Sequence, residues 1–289
     1  MNWFTYQRPK DISEALQFLE EAGGRGRVIA GGTDLVLQLK EGQREADLLV
    51  DISGLEELKQ IEEKDRWIRI GAGVTHAEVE RNRLIQREAK ALAEGCAQVG
   101  SPQIRNMGTL VGNVISAQPA GDGAIPLTAL EAEIRVQSQS GERWVSVEEA
   151  YIGVGRSSID SSREVATEVR FRGFEGRGRT GFFRLSRRKA LALPILNGAV
   201  ALLLNPSSNR IDKARIAIGP VAEKPFRPRE AEAFLESGKI SPGLILEAAR
   251  IASEEASPRT SLLRGSDVYR REMIRLYLTR TVQKLLEEV

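Results

Sequence analysis

At 289 residues the chain is long enough to bury a sizeable core and suits two compact domains or one large one. Its 42 basic and 40 acidic residues are dispersed and leave a formal charge of +2, so nothing marks a nucleic-acid binder. One cysteine and one histidine allow no intrachain disulfide, in agreement with a reducing compartment, and cannot supply the ligands of an iron–sulfur cluster or structural zinc.

The N-terminal stretch MNWFTYQRPKDISEAL has no apolar segment of signal-peptide length. No run reaches the roughly 20 apolar residues needed to span a bilayer, so a soluble, cytoplasmic chain without membrane insertion is expected. A helix is expected from Asp11 to Ala22, with Ile12, Ala15, Leu16 and Leu19 at helical spacing, Asp11 or Ser13 near its cap and Gly23-Gly24 as its stop. Arg27 to Ala30 reads as a short strand, followed by Gly31-Gly32-Thr33-Asp34 and a helical pattern through Leu35, Leu37 and Leu39 to Gly42. Such a strand-turn-helix unit presents backbone N–H groups to a pyrophosphate, with the Thr33 hydroxyl beside them. The same residues equally suit an ordinary turn capped by Thr33 or Asp34.

Leu48 to Ile52 and Trp67 to Gly71 read as strands, the second entering GAGVTH. Gly71 and Gly73 do not complete a dinucleotide fingerprint, because His76 stands where the third glycine belongs. Gly153 and Gly155, followed by Arg156-Ser157-Ser158, fail the same test. His76 opens a helix, HAEVERNRL, as a terminal or supporting residue rather than a base. A long helix is expected from Ile85 to Val99, with Cys96 as a small buried residue.

Residues 101 to 126, SPQIRNMGTLVGNVISAQPAGDGAIP, form the most informative stretch. Gly108 and Gly112 bracket Thr109, so the backbone on both sides of that hydroxyl can approach a ligand closely. Asn113 and Ser116 add short polar side chains. Asp122, between Gly121 and Gly123, sits on a loop where its carboxylate can accept two ribose hydroxyls or cap the helix beginning near Pro126.

Beyond it, Pro126 to Ala132 reads as a short helix, Glu133 to Ser138 and Arg143 to Val147 as a hairpin, and Ala150 to Ser158 as a lead into a strand from Glu164 to Phe171. The glycine- and charge-rich stretch Gly173 to Gly181 reads as a linker and domain boundary. Strands are expected over Phe182 to Arg187, Ile195 to Asn205 and Ala214 to Ile218, with a turn at Asn205-Pro206-Ser207-Ser208. The basic group Arg184, Arg187, Arg188 and Lys189 reads as a solvated strand end. Helices over Arg229 to Glu236, Pro242 to Glu255 and Val268 to Glu287 complete the chain.

The run IRNMGTLVGN…SAQPAGD…P, with AGGTDL at Ala30 to Leu35 upstream, resembles the two flavin-binding signatures of the FAD subunit of molybdenum hydroxylases, the medium subunits of xanthine dehydrogenase, carbon monoxide dehydrogenase and related enzymes. The C-terminal order of elements, with ARIAIGPVAEKPFRPREAE, resembles the C-terminal domain of the same subunits. The resemblance implies an α+β fold: a two-part FAD-binding domain of the vanillyl-alcohol-oxidase/PCMH type over residues 1–175, with subdomains of about 1–55 and 56–175. A C-terminal domain over 176–289 would carry a three-stranded antiparallel sheet and a three-helix bundle. It further implies that Ile29, Ala30, Gly31, Gly32, Thr33, Asp34 and Leu35 hold the FAD pyrophosphate. Gly108, Thr109, Val111, Gly112, Asn113 and Ser116 would line the cofactor, with Asp122 toward its ribose or adenosine end. Two departures stand out: Val111 precedes Gly112 where the family has a glycine pair, and Leu191 to Ile195 occupies a segment where some members carry a lysine and an acidic residue.

A flavin carries its own electron chemistry, so no catalytic acid, base or metal ligand is required of the chain. The function the resemblance implies is an FAD-carrying electron-transfer subunit, fed by an iron–sulfur small subunit, partnered by a molybdopterin large subunit and passing electrons to NAD or another acceptor. A stand-alone flavin reductase of the same superfold and a flavin-free assembly subunit are the alternatives.

Overall fold

The computed structural model of the chain describes residues 4–174, 176–188, 190–205 and 207–287. An unanticipated strand, Thr5–Gln7, pairs in parallel with Leu48–Asp51, whose other side pairs in parallel with Gly26–Ile29. Three strands running one way need crossovers, and the helix Ile12–Glu21 supplies one. Asp11 starts that helix by accepting the Glu14 N–H at 2.8 Å, and Ala15, Leu16 and Leu19 form its buried stripe.

An antiparallel sheet follows, ordered Ile61–Lys64, Trp67–Gly71, Val165–Arg172, Glu133–Ser138 and Gly141–Ser146. Val165–Arg172 returns from far along the chain to its centre. Its Val165, Thr167, Val169 and Phe171 alternate into the core. A separate short hairpin joins Tyr151–Gly153 to Arg156–Ser157.

The single helix expected from Ile85 to Val99 is corrected to two, Arg83–Glu88 and Lys90–Ala97. They meet at Ala89, whose φ of −145° lies outside the helical region. The break brings Ile85, Ala89 and Leu92, all fully buried, into one core. Residues 101–126, for which no helix was expected before Pro126, contain the short helices Pro102–Arg105 and Leu110–Ile115, each begun by a hydroxyl cap, Ser101 and Thr109. Neither is long enough to leave a periodic signal.

The glycine-rich stretch 173–181 gives up its last residues to a strand, Gly178–Leu185; Glu175 lies outside the described residues. This strand, Leu196–Asn205 and Arg210–Gly219 form an antiparallel sheet in that order. The turn expected over Asn205 to Ser208 closes with a Ser208 N–H to Asn205 C=O bond of 3.3 Å. Its Pro206, like Lys189 of the basic group, lies outside the described residues. Helices Arg229–Ser237, Pro242–Glu255 and Asp267–Glu287 cover one face of the sheet. Among the described residues no helix is long and apolar enough to cross a membrane.

The central strand of this sheet is buried on both faces. Leu196, Val200, Leu202 and Leu204 join the core with the three helices. Side chains alternate across a strand, so Asn197, Ala199 and Ala201 face the other way, toward the N-terminal half. There Ala199 and Ala217 pack with Ala91, Ile125 and Ala129.

A buried ion network strengthens this contact. Arg227 grips Glu232 through two bonds of 2.8 Å and reaches Glu131 at 2.9 Å and Glu148 at 3.4 Å. Replacing Arg227 by Met breaks the buried pair and leaves Glu232 with only the more distant Arg229, at 3.6 Å, an effect of about 3–5 kcal/mol. Urea unfolding of Arg227→Met should show that loss. Burial alone would raise the Glu131 carboxyl, but bonds and charge from Arg227 and Arg215 outweigh it and hold it below its ordinary 4.5. A depressed carboxyl stabilises the folded state above its unfolded value. The wild type should therefore lose this contribution as pH falls below about 4.5, and Arg227→Met should lose less over the same interval.

Candidate functional site

The site begins where two glycine-bearing turns touch. A Cβ on Gly31 would lie 2.0 Å from the Met107 carbonyl oxygen and 2.8 Å from Gly108 Cα, so only glycine permits this backbone contact. Gly32, at φ +67°, turns the chain from strand Gly26–Ile29 into helix Leu35–Lys40. Neither Thr33 nor Asp34 caps that helix through its side chain, so the ordinary capped turn is not what forms. Among the described residues, the backbone N–H groups of Gly31 to Leu35 donate to no protein acceptor.

The second turn is held from behind. Thr75 and Thr109 form an antiparallel bridge, and the His76 N–H donates to the Gly108 C=O at 3.0 Å. Thr109 Oγ1 accepts the Gly112 N–H at 3.1 Å, Asn113 Oδ1 accepts the Ala124 N–H at 3.2 Å, and Ser116 Oγ donates to the Asn113 C=O at 3.0 Å. Together the turns line a cavity of about 350 Å³ that includes Ile29 to Leu35, Gly108, Thr109, Gly112, Asn113 and Ser116. Val111 is the exception among its neighbours: its side chain is buried in the N-terminal core, leaving the cavity wall to the residues on either side.

His76 closes the back of this cavity and is buried. Burial, with the Arg105 charge second, lowers its pKa to about 4, so the imidazole is neutral at physiological pH. Its Nδ1 lies 3.4 Å from Cys96 Sγ. Burial, with Asp122 and Glu80 adding to it, pushes the Cys96 thiol far up, so the sulfur keeps its proton. An imidazole nitrogen is the better acceptor of the two, which leaves the ring proton on Nε2.

Asp122 lies in a second, larger cavity of about 960 Å³ between the two halves of the chain. Asp34, Val99, Asn113 and Ser116 line both cavities, which therefore adjoin. Asp122 does not cap the following helix, Ala124–Ala129. Its carboxylate receives Arg184 Nε at 3.2 Å on both oxygens and Asn197 Nδ2 at 2.7 Å. Burial pushes the carboxyl above its ordinary range, and the Arg184 charge and the Asn197 bond pull it only partly back. The reading of residues 184–189 as a solvated strand end is corrected at Arg184, whose side chain is 10% exposed because it points into this seam. Arg184 also donates to the Ala192 C=O, fixing the Leu191–Pro194 segment along the cavity wall. The basic run was the only trace of this arrangement in the sequence, and it pointed outward rather than to Asp122.

Comparisons with known proteins identify the family. Residues 2–171 match the FAD binding domain in molybdopterin dehydrogenase, and residues 181–285 match the CO dehydrogenase flavoprotein C-terminal domain. The chain belongs to the family of FAD-binding medium subunits of molybdenum hydroxylases. It is 31% identical to the nicotinate dehydrogenase FAD-subunit of Eubacterium barkeri, over 83% of this chain and 82% of that one. It is also 31% identical to the glyceraldehyde dehydrogenase medium chain of Sulfolobus acidocaldarius, over 94% and 95%. A solved carbon monoxide dehydrogenase from Hydrogenophaga pseudoflava superposes with a TM-score of 0.91 at 26% identity, covering 99% of this chain and 98% of that one. Quinoline 2-oxidoreductase from Pseudomonas putida 86 gives 0.89 at 26%, covering 100% and 99%.

The contact between the turns is testable without ligand. Gly31→Ala forces backbone apart and should cost about 1–3 kcal/mol in urea unfolding. Gly54→Ala, with nothing within 4 Å of the added methyl, should stay within about 0.5 kcal/mol of wild type.

Proposed function

We propose that this chain holds FAD across the two cavities and serves as the electron-exit subunit of a molybdenum hydroxylase. The observation that carries the reading is the meeting of the Gly31–Leu35 turn with the Gly108–Ser116 turn at one cavity wall, adjoining the cleft lined by Asp122. The residues fit the group: unpaired backbone N–H groups suit a pyrophosphate, and a side chain at Gly31 would fill the cradle. Gly31, Gly32 and Thr33 would hold the pyrophosphate, with Thr109 and Asn113 opposite. Asp122 is the carboxylate available to ribose hydroxyls, oriented for that by Arg184 and Asn197.

When bound, FAD supplies reversible one- and two-electron chemistry. The chain's own residues position and enclose it. Neutral His76 adds no charge behind the pyrophosphate turn, and Leu191 to Pro194 line the larger cavity. No acid or base in the chain is asked to act. Electrons would arrive from an iron–sulfur small subunit, substrate oxidation would occur at the molybdopterin large subunit, and NAD or another acceptor would take the electrons away, in the cytoplasm. Residues 1–175, with parts of about 1–55 and 56–175, form the FAD-binding domain in this reading, and 176–289 the C-terminal domain.

The purified chain should show a flavin spectrum, and acid release should yield FAD rather than FMN at about one per chain. Gly32→Val, which places a β-branched residue at φ +67°, and Asp122→Ala should each lose most of it. A colourless protein that refuses added FAD would leave the assembly-subunit reading in front. NADH-dependent reduction of a dye by the flavin-loaded chain would support NAD as the acceptor.

A further inference from the structure

The larger cavity has a cationic end that the FAD reading does not use. Arg259, Arg264 and Arg270 line it, on the segment before and at the start of helix Asp267–Glu287. Among the described residues none of the three is in an ion pair with a carboxylate. The acidic groups nearby do not neutralise them: Asp122 faces Arg184, Asp267 is bonded by Thr260, and Glu223 lines the cavity without reaching any of the three.

Arg270 is the core of the cluster. It is 2% exposed, its terminal nitrogens donate to the carbonyls of Pro220 and Arg259, and its Nε is buried with no hydrogen-bond partner. Burial, followed by the charges of Arg264 and Arg259, lowers it to about 10. Arg264 is lowered in the same way, by burial and then Arg259. Gathering unpaired guanidiniums in a partly dry cleft is unfavourable on its own and is repaid by an anion of matching charge. Guanidinium forks match phosphoryl oxygens in geometry as well as charge.

We propose that Arg259, Arg264 and Arg270 form a second anion subsite, which takes the pyrophosphate of an exchangeable dinucleotide entering the cleft beside the flavin. This rests on the assignment of the Gly31–Leu35 turn to the FAD pyrophosphate, which leaves the arginines free for a different ligand.

The test is calorimetric titration of the flavin-loaded full chain with inorganic pyrophosphate and, separately, ADP-ribose, with FAD content read from the visible spectrum of the same samples. Because Arg270 also holds backbone carbonyls, the working variant is Arg259→Gln/Arg264→Gln, with Arg270→Lys as a second variant that keeps the buried charge. Expected are saturable binding of both probes, tighter binding of ADP-ribose, competition between them, and at least tenfold weakening in the double variant at unchanged FAD content. Arg270→Lys should weaken binding less than the double variant. Absence of binding to the wild type, equal affinity in the double variant, or release of FAD by pyrophosphate would each overturn the subsite. Equal affinity for the two probes would overturn the dinucleotide and leave a free-anion site. A chain that carries no FAD is detected in the same spectra and counts against the underlying cofactor assignment, separately from the arginines.

Discussion

The seam between the two halves of the chain rests on a small-residue face closed by charged contacts, Arg184 with Asp122 and Arg227 with Glu131 and Glu148. Ala199 and Ala217 let the C-terminal sheet approach the helices carrying Ala91, Ile125 and Ala129. Larger side chains there would hold the halves apart, because packed interiors do not absorb added volume. Across the same seam, Thr180 Oγ1 accepts the Ala91 N–H at 3.0 Å and Glu94 accepts the Phe182 N–H at 3.1 Å. Asp122, Arg184 and Asn197 close it at the cavity. The larger cavity owes its shape to this approach, since its walls come from both halves.

The first cavity is specialised in a different way, by backbone position. Its work is to hold turns in place: Gly31 against Met107, Thr109 bridged to Thr75, Asn113 bonded to Ala124. In the first cavity Thr109, Asn113 and Ser116 turn their side chains to support backbone, and glycine at 31, 32 and 108 leaves backbone facing the cavity. His76 and Cys96, the chain's only histidine and cysteine, are spent as a buried neutral pair behind that wall. Rigid support of this kind matters where a cofactor supplies the chemistry and the protein supplies position.

Much of the fold was legible in the sequence because its signals are local. Asp11 at a helix start, the hairpin from Glu133 and the apolar spacing of Asp267–Glu287 each depend on neighbours a few residues apart. The glycine turns were legible for the same reason, as was their placement at a loop of special backbone need. What stayed hidden depends on distance along the chain. Asp122 meets Arg184 and Asn197 across 62 and 75 residues, and no spacing rule connects them. Ala89 has no helix-breaking chemistry of its own, so the break there is a tertiary effect. Val111 departs from the family's glycine pair without crowding the cavity because its side chain turns into the core.

The central claim is that one FAD molecule lies across both cavities, with its pyrophosphate at the Gly31–Thr33 turn and the larger cavity taking the remainder toward the C-terminal domain. A crystal structure of the chain purified with its flavin tests this most directly. The account predicts density for the pyrophosphate against the backbone N–H groups of Gly31 to Thr33 and continuous FAD density past Asn113 into the cleft lined by Asp122, with ribose at that carboxylate. Flavin bound elsewhere on the chain, or a pyrophosphate seated instead on Arg259, Arg264 and Arg270, would contradict it.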